Sequence, residues 1–323
     1  MVFYPFAPSV TAAPSDWLNA TGYGADQTGG KDSTTAIQAA LNAAKAGQVV
    51  YLPVGSYATS APLVVPAGVR FQGPSRSLGT PIGSYGDGSL PITGAIITPT
   101  AAFTGAAVIT VAGPTTSQGG GQNLALLAIS GGNVPAPNTV HGIAAANFCA
   151  AVTLDQIMVY GGVIAPNGNG LGGDGLHLIP GTGVPDLWDV TRCHFTGMNG
   201  NGVTLTAVAD SYFTDCESTG NTGTGWQITN GNNSRFVACK SEGNLNLGWA
   251  LTGNPGFAGK LYFTTCTSGS NTNGGWSVAG TGTGTYYLNG CVAIEATPWA
   301  YTGAMNIKSS AAYNTSTAAP TIG

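Results

Sequence analysis

A cysteine returns along this chain at a nearly fixed step, and that step limits the fold more than any other feature. Cys193, Cys216, Cys239, Cys266 and Cys291 follow one another at intervals of 23, 23, 27 and 25 residues. Other residues keep the same phase. A glycine falls nine residues after each of the first four (Gly202, Gly225, Gly248, Gly275). Apolar residues fall at ten (Val203, Trp226, Trp249, Trp276) and at twelve (Leu205, Ile228, Leu251, Val278). Three residues before the cysteines stand Val190, Phe213, Phe236, Phe263 and Leu288. A period of about 20–50 residues marks a solenoid or array. Within each unit the apolar residues alternate in twos, the spacing of a strand. The parity breaks just before the cysteine, which marks a corner. Short strands joined by Gly and Asn corners predict an all-β, single-stranded parallel β-helix with 23–27 residues per coil.

Stacking then dictates side-chain roles. Equivalent residues on successive coils lie roughly 4.8 Å apart, so the cysteines form an interior ladder of small apolar groups. Six cysteines would permit three disulfides. Stacked side chains, however, hold their Cβ atoms beyond the ~3.5–4.5 Å of a disulfide, and Cys149 stands outside the ladder, so six free thiols are expected. Trp226, Trp249 and Trp276 share their phase with Val203 and are expected as a buried stack; the alternative is an exposed strip for sugars. Asn221, Asn244 and Asn271 read as a corner ladder whose amides satisfy turn backbone. His194, Glu217 and Lys240 face outward on successive coils, which pairs Glu217 with Lys240; Arg192 and Asp215 would pair likewise.

Composition excludes several classes. A chain of 323 residues that is 43% hydrophobic and 7% charged is not disordered. Nine Lys and Arg against a net charge of -4 leave no basic stripe for nucleic acid. No apolar run approaches a membrane span, so no membrane insertion is expected. The segment before Lys31 has no Lys or Arg and no long apolar core, so it does not read as a secretory signal. No metal-ligand spacing or phosphate loop stands out; neither metal nor cofactor is expected.

The frame extends upstream, with Ile157 and Leu127 in the cysteine position and strands opening at His141 and Asp174. Insertions at 163–173 and 179–189 bracket the second of these strands. Asp32 to Gly47 places Ile37, Ala40, Leu41 and Ala44 on one helical face, with Asp32 or Ser33 as its cap. A helix there covers the open end of the solenoid. The chain therefore divides into a segment with a capping helix (1–48), the β-helix (49–300) and a C-terminal cap or tail (301–323), all one structural domain.

The stretch from Gly22 to Gly73, with its Gly-Ala-Asp, its Asp-Ser-Thr-x-Ala-Ile-Gln helix and its Leu-Pro-x-Gly-x-Tyr strand, resembles the pectate-lyase-superfamily, glycosyl-hydrolase-28-related β-helix proteins. The resemblance implies a right-handed β-helix that is a polysaccharide lyase, a glycoside hydrolase, or a phage tail spike that binds or cuts a surface glycan. It also implies that chemistry sits on the outer face of the strand after the Gly corner and in the adjoining loops. His141, Asp174 and Asn201 precede that corner on three coils, and His177 points outward beside Thr204 and Gln227. The Asp-Gly at Asp174 faintly resembles the Asn-Thr-Asp-Gly motif of polygalacturonases, whose other motifs are missing here.

Two readings of Asp174 are open: a turn cap, or the general acid of glycoside hydrolysis with Asp186, Asp189 or Asp210 as partner carboxylate. On the second reading Asp174, Asp186, Asp189, Asp210 and His177 carry the chemistry, while His141, Asn201, Thr204 and Gln227 bind substrate. Few cations argue against a lyase built for a polyanion. The expected function is a phage tail spike or tail-associated receptor-binding protein, extracellular or on the virion, that recognises and potentially degrades a host glycan. The alternative is a secreted polysaccharide hydrolase. The resemblance to spikes further implies a homotrimer that contacts other tail proteins.

Overall fold

We describe residues 16–75, 94–113, 119–146, 149–162, 169–181, 183–253, 260–279, 285–295, 297, 299–302 and 306–314 of a computed structural model. Residues 1–15, the 163–168 part of the first insertion and residues 315–323 of the expected C-terminal cap lie outside that set.

The strands stack in the phase of the sequence repeat. Val203 pairs in parallel with Trp226, Trp226 with Trp249, and Trp249 with Trp276. Val190, Phe213, Phe236, Phe263 and Leu288 form a second continuous row. Among the described residues the result is a right-handed parallel β-helix. One face is a nine-stranded sheet running from Leu63–Val65 to Trp299–Thr302. A twenty-stranded sheet collects most of the other strands, which merge where the single strand Thr285–Ala293 fills two places, and Gly119–Gly120 pairs with Cys149–Ala150 in a small sheet of two.

The parity break before each cysteine has a definite cause. Arg192, Asp215, Ala238 and Thr265 hold φ between 52° and 54°, the left-handed region. One such residue turns the chain between two strands. A left-handed non-glycine residue costs about 1–2 kcal/mol, and stacking offsets it: Arg192 N–H donates to Thr214 O and Asp215 N–H to Val237 O on the next coil.

Inside, the rows are continuous. Trp226, Trp249 and Trp276 stack at 5.0 and 4.7 Å, and Phe213, Phe236 and Phe263 at 4.8 and 4.7 Å. The two columns meet edge to face, as between Trp249 and Phe236. The tryptophans are core, not a sugar strip. All six cysteines are free and buried, and the Cys216, Cys239 and Cys266 thiols each donate at 3.3 Å to a carbonyl of the preceding coil. Burial pushes the Cys193 and Cys239 thiols well above the usual range and Cys149 up to about 12. The asparagine ladder is likewise interior. Asn221 donates to Asn244 at 2.8 Å, Asn244 to Asn271 at 2.7 Å, and Asn271 to the buried Glu295 at 2.7 Å.

The capping helix spans Thr34–Ala43 and buries Ile37, Ala40 and Leu41. Ser33 holds the N-cap position without a side-chain cap bond, its hydroxyl bonding the Asp26 carbonyl, while Asp32, one residue earlier, accepts the Thr34 N–H at 2.9 Å. On the outer surface two expected ion pairs are replaced. Glu217 pairs with His194 at 3.3 Å, and Lys240 with Glu242 two residues along its own strand. Arg192 reaches back to Asp155 at 2.6 Å instead of forward to Asp215. Alternate residues of one strand share a face, so Lys240 finds its partner without crossing a coil.

Candidate functional site

Successive coils enter the nine-stranded sheet through the same corner, and the residue before each corner glycine performs the same task there. His141 Nδ1 accepts the Asp174 N–H at 2.8 Å. Asp174 Oδ1 accepts the Asn201 N–H, and Asn201 Oδ1 the Thr224 N–H, both at 2.8 Å. The glycine that follows is required by close approach: a Cβ at Gly175 would lie 2.6 Å from the Gly202 carbonyl oxygen. The turn-cap reading of Asp174 is thus realised, but it occupies one carboxylate oxygen only.

The other oxygen does something different. Asp174 Oδ2 lies 2.7 Å from Nδ1 of His177, in the strand Leu176–Leu178, whose alternation buries both leucines and turns His177 outward. An ionised carboxylate only accepts hydrogen bonds, so His177 Nδ1 donates and Nε2 becomes the basic atom of the neutral ring. The His177 ring stacks on His141 with centroids 3.8 Å apart and planes 17° from parallel. Asn201 Nδ2 donates to Thr204 Oγ1 at 3.1 Å, and Thr204 lies in register between His177 and Gln227. Gln227 in turn reaches Thr252 at 3.3 Å.

The electrostatics assign protonation states. Asp174 is 8% exposed. Burial alone would raise its carboxyl, but hydrogen bonds from His177, Thr204 and the Asn201 N–H hold it below the usual range. It is ionised at neutral pH and has no proton to give. His141 is pushed down to about 4, chiefly by burial and then by repulsion from His177, with the Asp174 charge opposing both. A neutral His141 fits its Nδ1, which accepts a backbone N–H.

The other expected carboxylates lie at the opposite end of the strand Leu176–Leu178 from Asp174. Asp186 bridges Ala150 and Ala209, and Asp189 sits in the twenty-stranded sheet beside Tyr212. Asp210, at φ 46°, is hydrogen-bonded to Asn233. The fold therefore brings together His141, Asp174, His177, Asn201, Thr204 and Gln227, and places the other three aspartates on a different face. A separate groove of about 490 Å³, lined by Thr28, Ser56, Ala58, Thr98, Asn133 and Asn169 among others, contains none of these residues.

His141, Asp174 and His177 offer three potential metal ligands within 4.8 Å of one another. Their arrangement does not suit an ion. A metal lies in the plane of each ligating imidazole about 2.0–2.1 Å from its nitrogen, and two stacked rings cannot both meet that condition. Both Nδ1 atoms are also already engaged. What the geometry does is fix the orientation of one imidazole, that of His177, through the Asp174 carboxylate.

A family model described as rhamnogalacturonase A/epimerase, pectate lyase-like, matches residues 17–245. Comparison with curated proteins gives no match. Among solved structures, the A-module of the Azotobacter vinelandii mannuronan C-5 epimerase AlgE4 is similar at 13% identity and a TM-score of 0.55, covering 93% of this chain and 100% of the module. The tailspike protein gp49 of Acinetobacter baumannii bacteriophage Fri1, a capsular polysaccharide depolymerase, is similar at 14% identity and a TM-score of 0.61, over 92% of this chain and 59% of that one. The gp42 tailspike of an Acinetobacter phage is similar at 11% identity and 0.55, over 92% and 63%. At these identities the likeness is one of fold, and the chain spans less than two thirds of either tailspike.

Proposed function

We propose that this chain, which belongs to the rhamnogalacturonase A/epimerase, pectate lyase-like family, recognises a cell-surface polysaccharide along the outer face of its nine-stranded sheet. The observation that carries this reading is the face itself. His177, Thr204 and Gln227 form one outward row, and Thr206, Thr229 and Thr252 a second. Hydroxyls and amides both donate and accept, as sugar hydroxyls require, and rungs roughly 4.8 Å apart repeat along the axis of the solenoid. A tail-spike role, extracellular or on the virion and as a homotrimer docked to other tail proteins, is supported by the fold it shares with phage tailspikes.

The pairing of Asp174 with His177 favours a second reading, in which the bound glycan is also cut. His177 Nε2 would take a proton from the attacking water as its oxygen bonds the anomeric carbon and the glycosidic C–O bond breaks, the leaving oxygen taking its proton from solvent. Asp174 stays anionic and holds the ring. The route through two facing carboxyl groups has no support from the placement of Asp186, Asp189 and Asp210.

Both readings are tested by incubating the protein with surface polysaccharides from candidate hosts, then measuring retention and polymer length. Wild type that binds and shortens the polymer, with His177→Gln binding but leaving its length unchanged, supports the cutting mechanism. Binding without shortening leaves recognition alone. A protein that retains no polysaccharide refutes both.

A further inference from the structure

The lysines and arginines are distributed unevenly over the solenoid. Of the nine, Lys31, Arg70, Arg235, Lys240, Lys260 and Lys308 lie in strands of the twenty-stranded sheet. Arg192 turns a corner between two strands of that sheet, Lys45 follows the capping helix, and Arg76 lies outside the described residues. None lies in a strand of the nine-stranded sheet. The segments outside the described residues that adjoin its strands in sequence (114–118, 147–148, 163–168, 182, 254–259 and 280–284) contain no lysine or arginine either. The outward positions of its strands include Thr110, Thr204, Thr206, Gln227, Thr229, Thr252 and Ser277, with His177 and the apolar Val64 and Ala144.

We infer that the polysaccharide taken by this face is uncharged, built of neutral hexoses or N-acetylhexosamines. The inference rests on the recognition reading above and narrows its substrate class. An acidic polysaccharide would bring a row of carboxylates down on a surface with no lysine or arginine to meet them. Each would lose water without gaining an opposite charge, which is costly, and those near the cluster would face the ionised Asp174. A neutral polysaccharide meets hydroxyls and amides that reciprocate its own, and the carboxylate of Asp174, the charged group in the strands and corners of this face among the described residues, is already satisfied by hydrogen bonds. Exclusion of acidic glycans is therefore built into the face: basic side chains are available to the fold, and it spends them on the other sheet.

The test is a matched panel. Dextran, mannan, galactan and N-acetylglucosamine oligomers form the neutral set; polygalacturonate, alginate and hyaluronan form the acidic set. Binding is measured by titration calorimetry, at low and high salt, for wild type, Gln227→Ala and Arg235→Ala. The expected result is binding within the neutral set, changed less than about twofold when salt screens charges. Gln227→Ala should weaken it by about two- to tenfold, the effect of one lost hydrogen bond, and Arg235→Ala should leave it unchanged. Salt-sensitive binding within the acidic set overturns the inference while leaving polysaccharide recognition standing. So does neutral binding that is lost with Arg235→Ala and indifferent to Gln227→Ala, because it moves the site to the other sheet. Failure of both sets overturns the inference together with the recognition reading.

Discussion

Acidification should weaken the fold through His141, and the structure gives the size of the effect. Its ring accepts the Asp174 N–H through Nδ1 and stacks on His177, so protonation breaks a hydrogen bond and places a cation against a second imidazole. Burial contributes most to the displacement from the ordinary 6.5 down to about 4. As pH falls below about 6.5 the unfolded chain binds a proton at this residue and the folded chain does not until about 4. The associated stability is complete above the upper value and is lost across that window. At about 1.4 kcal/mol per pH unit, the loss approaches about 3 kcal/mol at pH 4. Asp174, held low, acts in the same direction at still lower pH, its contribution disappearing as the carboxyl is protonated. The assay is urea unfolding between pH 7.5 and 4.5 for wild type and His141→Gln, alongside an NMR titration of the ring. The slope should flatten in the variant, whose side-chain carbonyl can accept the same N–H without titrating. A His141 that titrates near 6.5, or equal slopes in the two proteins, would refute the reasoning.

Other consequences follow from the interior ladders. Asn244→Ala removes a side chain bonded to Asn221, Ser218, Ser241 and Asn271 and strands the buried N–H of Asn221; at about 1 kcal/mol per bond plus the desolvation cost, urea unfolding should show a loss of about 3–5 kcal/mol. The six thiols should resist a thiol reagent in native buffer and react fully in denaturant, because they are buried and, where shifted upward, protonated; rapid native labelling of Cys216 or Cys239 would contradict the interior ladder.

The solenoid was legible because stacking converts position in the repeat into position in space. The offset that groups Val203, Trp226, Trp249 and Trp276 in the sequence is the register of one sheet. The corner before each cysteine showed as broken parity, although the left-handed residue that makes it is Arg, Asp, Ala or Thr and carries no composition signal. The stacking of His141, Asp174 and Asn201 was legible for the same reason. What Asp174 does with its second oxygen was not: that depends on the rotamers of Asp174 and His177, three residues apart on either side of a corner. Asp186 and Asp189 stand out as rare charges in the second insertion and Asp210 in a comparable loop one coil on, but proximity in sequence does not carry across the corner that separates two faces. Glu295 was missed as the last rung of the asparagine ladder because it falls four residues after its cysteine, whereas the asparagines fall five after theirs.

Hydroxyl-radical footprinting with and without a saturating polysaccharide tests most directly where the glycan lies. The nine-stranded sheet offers the reactive side chains His141 and His177, and the twenty-stranded sheet and its adjoining loops offer Leu187, Tyr212 and Tyr262. Recognition along the nine-stranded sheet predicts that oxidation of the two histidines falls on binding while that of Leu187, Tyr212 and Tyr262 does not change. Protection of the tyrosines with full oxidation of both histidines would contradict it.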